Sequence, residues 1–188
     1  MNAFRALVVA GVLGLAGCSG SPSGSAAPPA AASPAAASSA ADFGGTDLAW
    51  IEINIAMDEQ LQPLLQLVPG HSGSPQVQAL AAQVSAFTDA ELGVLRGLRD
   101  QAGLPPVNPH AGMPMPGMVA TDQVTKASKL VGREFDKLVV GQIRGHLEQS
   151  QSLARSEDQS GVEQQTRGLA LQVLRTREQA LSTVKAAQ

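Results

Sequence analysis

Few side chains in this sequence could do chemistry, and the first of them is a single cysteine. Cys18 follows Leu15-Ala16-Gly17 directly. Ahead of it stand the amino terminus, Arg5 and an apolar run from Ala6 to Leu15. That run is shorter than the roughly 20 residues a membrane-spanning helix needs. It reads instead as an export signal, removed on maturation. A cysteine at the cut position reads as a lipobox, in which the thiol receives lipid and becomes the new amino-terminal residue. Lipid on Cys18 leaves no thiol for a disulfide, a metal site or a nucleophile.

A second set lies in His110-Ala-Gly-Met113-Pro-Met115-Pro-Gly-Met118, which places one imidazole and three thioethers in a single proline-rich stretch. Thioethers are soft ligands and favour Cu(I). Methionines also fill gaps where a loop lies on a core, so the pattern carries both readings.

The third set is polar residues in apolar stripes. Glu91 falls four residues before Leu95 and seven after Val84, with Thr88 beside it. His146 falls three after Ile143 and seven after Val139. Asp58 flanks another stripe, next to Met57. An unpaired buried carboxylate is costly. Either these groups satisfy one another across a helical interior, as a His–Glu pair does, or carboxylate and imidazole converge on a metal ion.

The elements that must position these groups are helices. Trp50, Ile53, Met57, Leu61, Leu64 and Val68 share one helical face over about Asp47–Val68, with Pro63 expected to bend or interrupt the run. A second helix is predicted from Pro75 to about Ala102, inward at Val77, Leu80, Ala81, Val84, Phe87, Leu95 and Leu98. After a proline- and glycine-rich stretch, Thr121-Asp122 caps a short helix to about Val131. A third long helix, Glu134–Arg155, turns Phe135, Leu138, Val139, Ile143 and Leu153 inward. The fourth, Gly161–Lys185, turns in Val162, Leu169, Val173 and Val184, with Glu157-Asp158 suiting the dipole near its start. The fold class is therefore all-α: a four-helix bundle of two helical hairpins with a longer Met/Pro-rich crossover.

Residues 19–41 contain no charge, no aromatic and no Leu, Ile, Val or Met. They cannot bury enough surface to offset the entropy of ordering, and read as a disordered tether reaching roughly 25 Å as a coil and about 70 Å fully extended. The expected organisation is a signal peptide at 1–17, a lipidated linker at 18–46 and a bundle at 47–188. Removing Arg5 takes the 13 Lys and Arg to 12 against 16 Asp and Glu, a net charge of −4. With no basic stripe and few aromatics, nucleic acid has little to hold it.

The paired hairpins, Met115-Pro-Gly-Met118 and Glu134-Phe-Asp-Lys-Leu resemble the bacterial family known as domain of unknown function 305. The resemblance covers about residues 47–185. It implies an exported, ferritin-like bundle of two similar halves, each with an adjacent His-His pair on its first helix and an Ala-Glu-hydrophobic phrase on its second. It also implies a link to copper in some members. Against that pattern, LVVGQIRGHLEQSQSLA keeps His146, has Leu147 for the second histidine and retains Glu148. INIAMDEQ puts Met57 and Asp58 where the other pair would fall. Glu91 holds the acidic position in PQVQALAAQVSAFTDAELGVLRGL, and Ala180 stands in the matching place of TREQALSTV. Met57 thus aligns with His146 and Glu91 with Ala180, an internal repeat offset by 89 residues.

The functional expectation is a lipoprotein on the extracytoplasmic side of the cell membrane, its protein partner unspecified. It binds a metal, copper in particular, through Met57, Asp58, Glu91 and His146 or through His110, Met113, Met115 and Met118. The alternative is an envelope scaffold or partner-binding lipoprotein whose site has degenerated. An enzyme is not expected: no nucleophile–base set, phosphate-cradling glycine loop or HExxH-like pair occurs, and Glu-x-x-His, which ferritin-like redox centres need, is absent.

Overall fold

The computed structural model describes residues 42–186, so Cys18, the signal segment and the linker up to residue 41 lie outside the described residues. The described chain forms α1 (Gly45–His71), α2 (Pro75–Gln101), α3 (Thr121–Ala127), α4 (Gly132–Ser160) and α5 (Gln164–Ala186), with no strand among these residues. The expected all-α bundle of two hairpins is what forms. α1 and α2 make the first hairpin, α4 and α5 the second. α1 also lies beside α4, and α2 beside α5, which closes the ring. The crossover carries α3, which packs on α1 and α4. No helix among the described residues is long and apolar enough to cross a membrane.

The helix starts follow capping chemistry. The Asp47 carboxylate reaches back to the Gly44 N–H at 2.6 Å. Ser74 Oγ accepts from Val77 N–H at 3.4 Å, with Pro75 in the first turn, where a missing N–H is harmless. Glu163 caps α5 by accepting from the N–H groups of Gln165 (3.0 Å) and Thr166 (2.6 Å).

Several expectations about the helices need correction. α1 is not interrupted at Pro63; it continues through Pro63 and Pro69 to His71. Both prolines are exposed, so water can satisfy the carbonyls they strand. Glu157-Asp158 does not open the last helix, because α4 runs on to Ser160 and holds both in its final turn. Val162 is not inward; it lies in the turn after α4 and is 67% exposed.

The interior is layered. One apolar cluster gathers Leu61, Leu64, Leu80, Val84, Phe135, Val139, Ile143 and Val184. The other gathers Trp50, Ile51, Ile55, Leu92, Leu95, Leu98, Leu169 and Val173. Between them each long helix supplies buried polar side chains: Asp58 from α1, Thr88 and Glu91 from α2, His146 and Ser150 from α4, and Arg177 from α5. The waist between the two apolar clusters is charged.

Candidate functional site

Three of the four helix-borne residues singled out in the sequence meet in this waist. Asp58, Glu91 and His146 are all buried there, and Met57 is buried one residue before Asp58. The group that organises them is Arg177. Its guanidinium is fully buried and grips Glu91 with two hydrogen bonds, Nη1 to Oε1 at 2.8 Å and Nη2 to Oε2 at 2.7 Å. Nε donates to Ser150 Oγ at 3.1 Å and Nη1 also to Thr176 Oγ1 at 3.2 Å. Nη2 stands 3.8 Å from Asp58 Oδ1, and the guanidinium carbon lies 4.3 Å from the centroid of the Phe87 ring. A planar cation thus meets a planar anion edge to edge and an aromatic face, the geometry in which Arg differs most from Lys.

His146 Nε2 is 3.4 Å from Asp58 Oδ1 but lacks the alignment of a hydrogen bond, and both Asp58 oxygens and Thr88 Oγ1 are also without well-formed partners. Burial pulls the imidazole below its ordinary pKa, against the Asp58 carboxylate and the backbone of Gly117. Glu91 is pushed up by burial, although Arg177 opposes the rise. The waist therefore holds a neutral imidazole and a guanidinium paired with Glu91, while Asp58, Thr88 and His146 keep unpartnered polar atoms.

This arrangement answers whether the waist fits a metal ion. Glu91 spends both oxygens on Arg177, and a metal would have to enter beside a fixed positive charge. Among the described residues no group of three or more His, Cys, Asp or Glu side chains is placed to hold an ion. With Glu91 spent on Arg177, the four-residue helix-borne set does not fit a metal ion as a whole, while Asp58 and His146 keep unpartnered atoms.

The crossover reaches the waist only through the backbone of Gly117 beside His146, and its own candidate ligands are anchored along α1. His110 Nε2 is 3.9 Å from Glu52 Oε2, while Met118 Sδ accepts from Gln60 Nε2 at 3.4 Å. Those α1 anchors are eight residues apart, about 12 Å of helix. Met113 is 46% exposed and Met115 half-buried. The donors are spread along α1 rather than gathered. What fixes the loop is Gly117: its φ is +76°, and a Cβ there would collide with the Gln149 side chain of α4. Only glycine allows both the left-handed turn and that approach.

Sequence reasoning missed Arg177, although a signal existed. It sits four residues after Val173 and seven before Val184, on the apolar stripe of α5. It also passed over a second buried group at one end of the bundle, where Asp47 and Glu157 are fully buried together.

Comparison with known proteins agrees with this architecture. No curated protein matches the chain. Solved structures that match include a DUF305 protein of Streptomyces coelicolor, provisionally termed secreted, and a DUF305 fragment from Deinococcus radiodurans. The first is 18% identical with a TM-score of 0.67, covering 77% of this chain and 89% of its own. The second is 15% identical with a TM-score of 0.68, covering 77% and 95%. At such identities the likeness concerns the fold. The model of the family called Domain of unknown function (DUF305) matches residues 55–188, and the chain belongs to that family.

Proposed function

We propose that this chain is a non-enzymatic scaffold of the cell envelope, held to the membrane by lipid on Cys18, whose bundle is braced at its waist by an ion pair in place of a metal centre. The observation that carries the reading is the Arg177 guanidinium, bidentate on Glu91 at 2.7 and 2.8 Å. Export is supported by the charged-then-apolar leader ending in Leu-Ala-Gly-Cys. The Streptomyces coelicolor relative's description as secreted points the same way.

A second reading keeps copper, but in the crossover. Met113 is exposed and Nδ1 of His110 has no hydrogen-bond partner. The loop could therefore close His110, Met113, Met115 and Met118 around a soft ion while the waist stays intact.

Competition titration of the full chain with Cu(I), Cu(II) and Zn(II) separates the two, with Cys18→Ser so that no thiol competes. The scaffold reading expects binding weaker than micromolar for all three. Tight Cu(I) binding that vanishes in a Met113/Met115/Met118→Leu variant establishes the crossover reading. Tight binding that vanishes in His146→Ala overturns the account of the waist. For the anchor, Cys18→Ser should move the protein from the membrane fraction to the soluble one; retention would sink it.

A further inference from the structure

Asp47 and Glu157 come from α1 and the last turn of α4, and neither is exposed. They meet at the end of the bundle where the chain enters from the linker. The Asp47 carboxylate accepts from the N–H groups of Gly44 at 2.6 Å, Val162 at 3.0 Å and Glu163 at 3.1 Å. Those donors belong to the approach to α1 and to the α4–α5 turn, so one side chain staples two separate pieces of backbone.

Glu157 has a different lot. No donor reaches either of its buried oxygens, and the Asp47 carboxyl is the neighbour that, after burial, does most to raise its pKa. A fully buried carboxylate that no donor reaches is costly, so of two neighbouring acids the one without donors keeps a proton. Asp47, already facing three N–H groups, is the better anion. The proton therefore sits on Glu157.

The charged groups facing Glu157 are Asp47 from α1, Glu163 from the α4–α5 turn and Arg167 from α5. Glu163 accepts from backbone N–H groups at the start of α5, and Arg167 is exposed and lies 3.8 Å from Asp158. Among the described residues no buried cation plays here the part that Arg177 plays at the waist. Gly161 completes the fit, since a Cβ at that position would run into the Glu157 carboxyl. A surface groove of about 330 Å³, lined by Gly45, Ala49, Trp50, Leu153 and Glu157 among others, brings solvent to the edge of the pair.

We propose that Asp47 and Glu157 form a proton-held clasp, which ties the α4–α5 turn to the start of α1 while Glu157 is protonated and loosens that end when Glu157 ionises. Burial first, then Asp47, pushes Glu157 up to about 8, whereas burial's upward pull on Asp47 is outweighed by the Glu157 and backbone donors. The sign follows. The unfolded Glu157 loses its proton near 4.5, so from there to about 8 only the folded state keeps it. The clasp is fully formed in mild acid and weakens as pH climbs toward 8. A surface-held protein would thus have a linker-proximal end that tightens as its surroundings acidify.

Amide hydrogen exchange on the full chain tests this, read at Val162 and Glu163 and corrected for the intrinsic pH dependence of exchange. In the wild type, protection should fall by about tenfold per pH unit as pH rises toward the Glu157 midpoint and level off above it. In Glu157→Gln the amide can donate to Asp47 at every pH, so protection should stay flat. Flat protection in the wild type, or the same fall in both proteins, overturns the clasp. If Glu157→Gln does not fold, a carbon-13 carboxyl titration of the wild type decides: a Glu157 midpoint near 8 supports the clasp, and one in the ordinary carboxylate range overturns it.

Discussion

The waist and the linker-proximal end of this bundle both bury carboxyl groups, and they neutralise them by different means. At the waist Glu91 is met by the guanidinium of Arg177, a charge no accessible pH can remove. At the end Glu157 is met by Asp47 and keeps a proton. A fixed cation makes the pairing of Glu91 indifferent to mild changes of pH but dependent on one side chain. A proton makes its region tolerant of substitution but dependent on conditions. The same problem, burial of an acid, therefore yields a structural brace in one place and a titratable joint in the other.

The largest effect expected from breaking this contrast is at Arg177. Arg177→Met leaves Glu91 and Asp58 buried without their cation and should cost about 3–5 kcal/mol. That lowers the thermal midpoint by roughly 10 °C or more for a domain of this size. Adding Glu91→Leu should restore most of the loss, because an apolar pair of similar volume suits such a layer. Chemical denaturation followed by circular dichroism measures both. A single-variant loss below about 1 kcal/mol would mean that the ion pair is incidental.

The two regions also differed in how far they could be read from the residues. Asp58, Glu91 and His146 stood out because a short polar side chain on an apolar stripe has no way to reach water. Arg177 occupies an equally apolar position, but a long arginine on a stripe usually carries its head out to solvent. Only the acids facing it across the bundle hold it in. At the other end, Asp47 and Glu157 each read as ordinary helix-terminal acids, since both sit within a turn of a helix end. Their meeting depends on how far α4 extends and on the turn at Gly161, and the sequence marks such boundaries to within a few residues only. The helices themselves were legible because their apolar spacing is long and regular. The crossover was not, because the position of His110 and Met118 along α1 is set by partners, Glu52 and Gln60, that no local pattern indicates.

At the linker-proximal end the largest steric test is Gly161→Ala. The added methyl group displaces the Glu157 carboxyl and should cost about 1–3 kcal/mol, with lost protection at Val162 and Glu163 and little change near Arg177. Exchange lost equally at the waist would show that the two regions are one cooperative unit.

The pH response sharpens the contrast further. Between about pH 6.5 and 8, wild-type stability should fall with rising pH by up to about 1.4 kcal/mol per unit, the limit for one extra proton held by the folded state. Arg177→Met, if folded, should keep that slope, and Glu157→Gln should lose it. Denaturation midpoints across this range decide, and an unchanged slope in Glu157→Gln would place the responsible proton elsewhere.

The smallest effect belongs to His146, and its sign is opposite. Burial, aided by Arg177, depresses its pKa below 6.5, while Asp58 and Gly117 resist. The unfolded chain therefore takes up a proton that the folded waist refuses, and stability present above pH 6.5 declines as pH falls further. In that lower range the waist and the clasp oppose one another, so the wild-type curve should be nearly flat there although both groups are titrating. His146→Gln removes one side of the balance, and stability should then rise on going from about pH 6.5 to 5, by about 1 kcal/mol per unit. A nitrogen-15 spectrum of the wild-type imidazole supplies the independent check: neutral nitrogens persisting well below pH 6.5 support the balance. A proton on His146 already at pH 7 would show that Asp58 governs the waist more strongly than burial does.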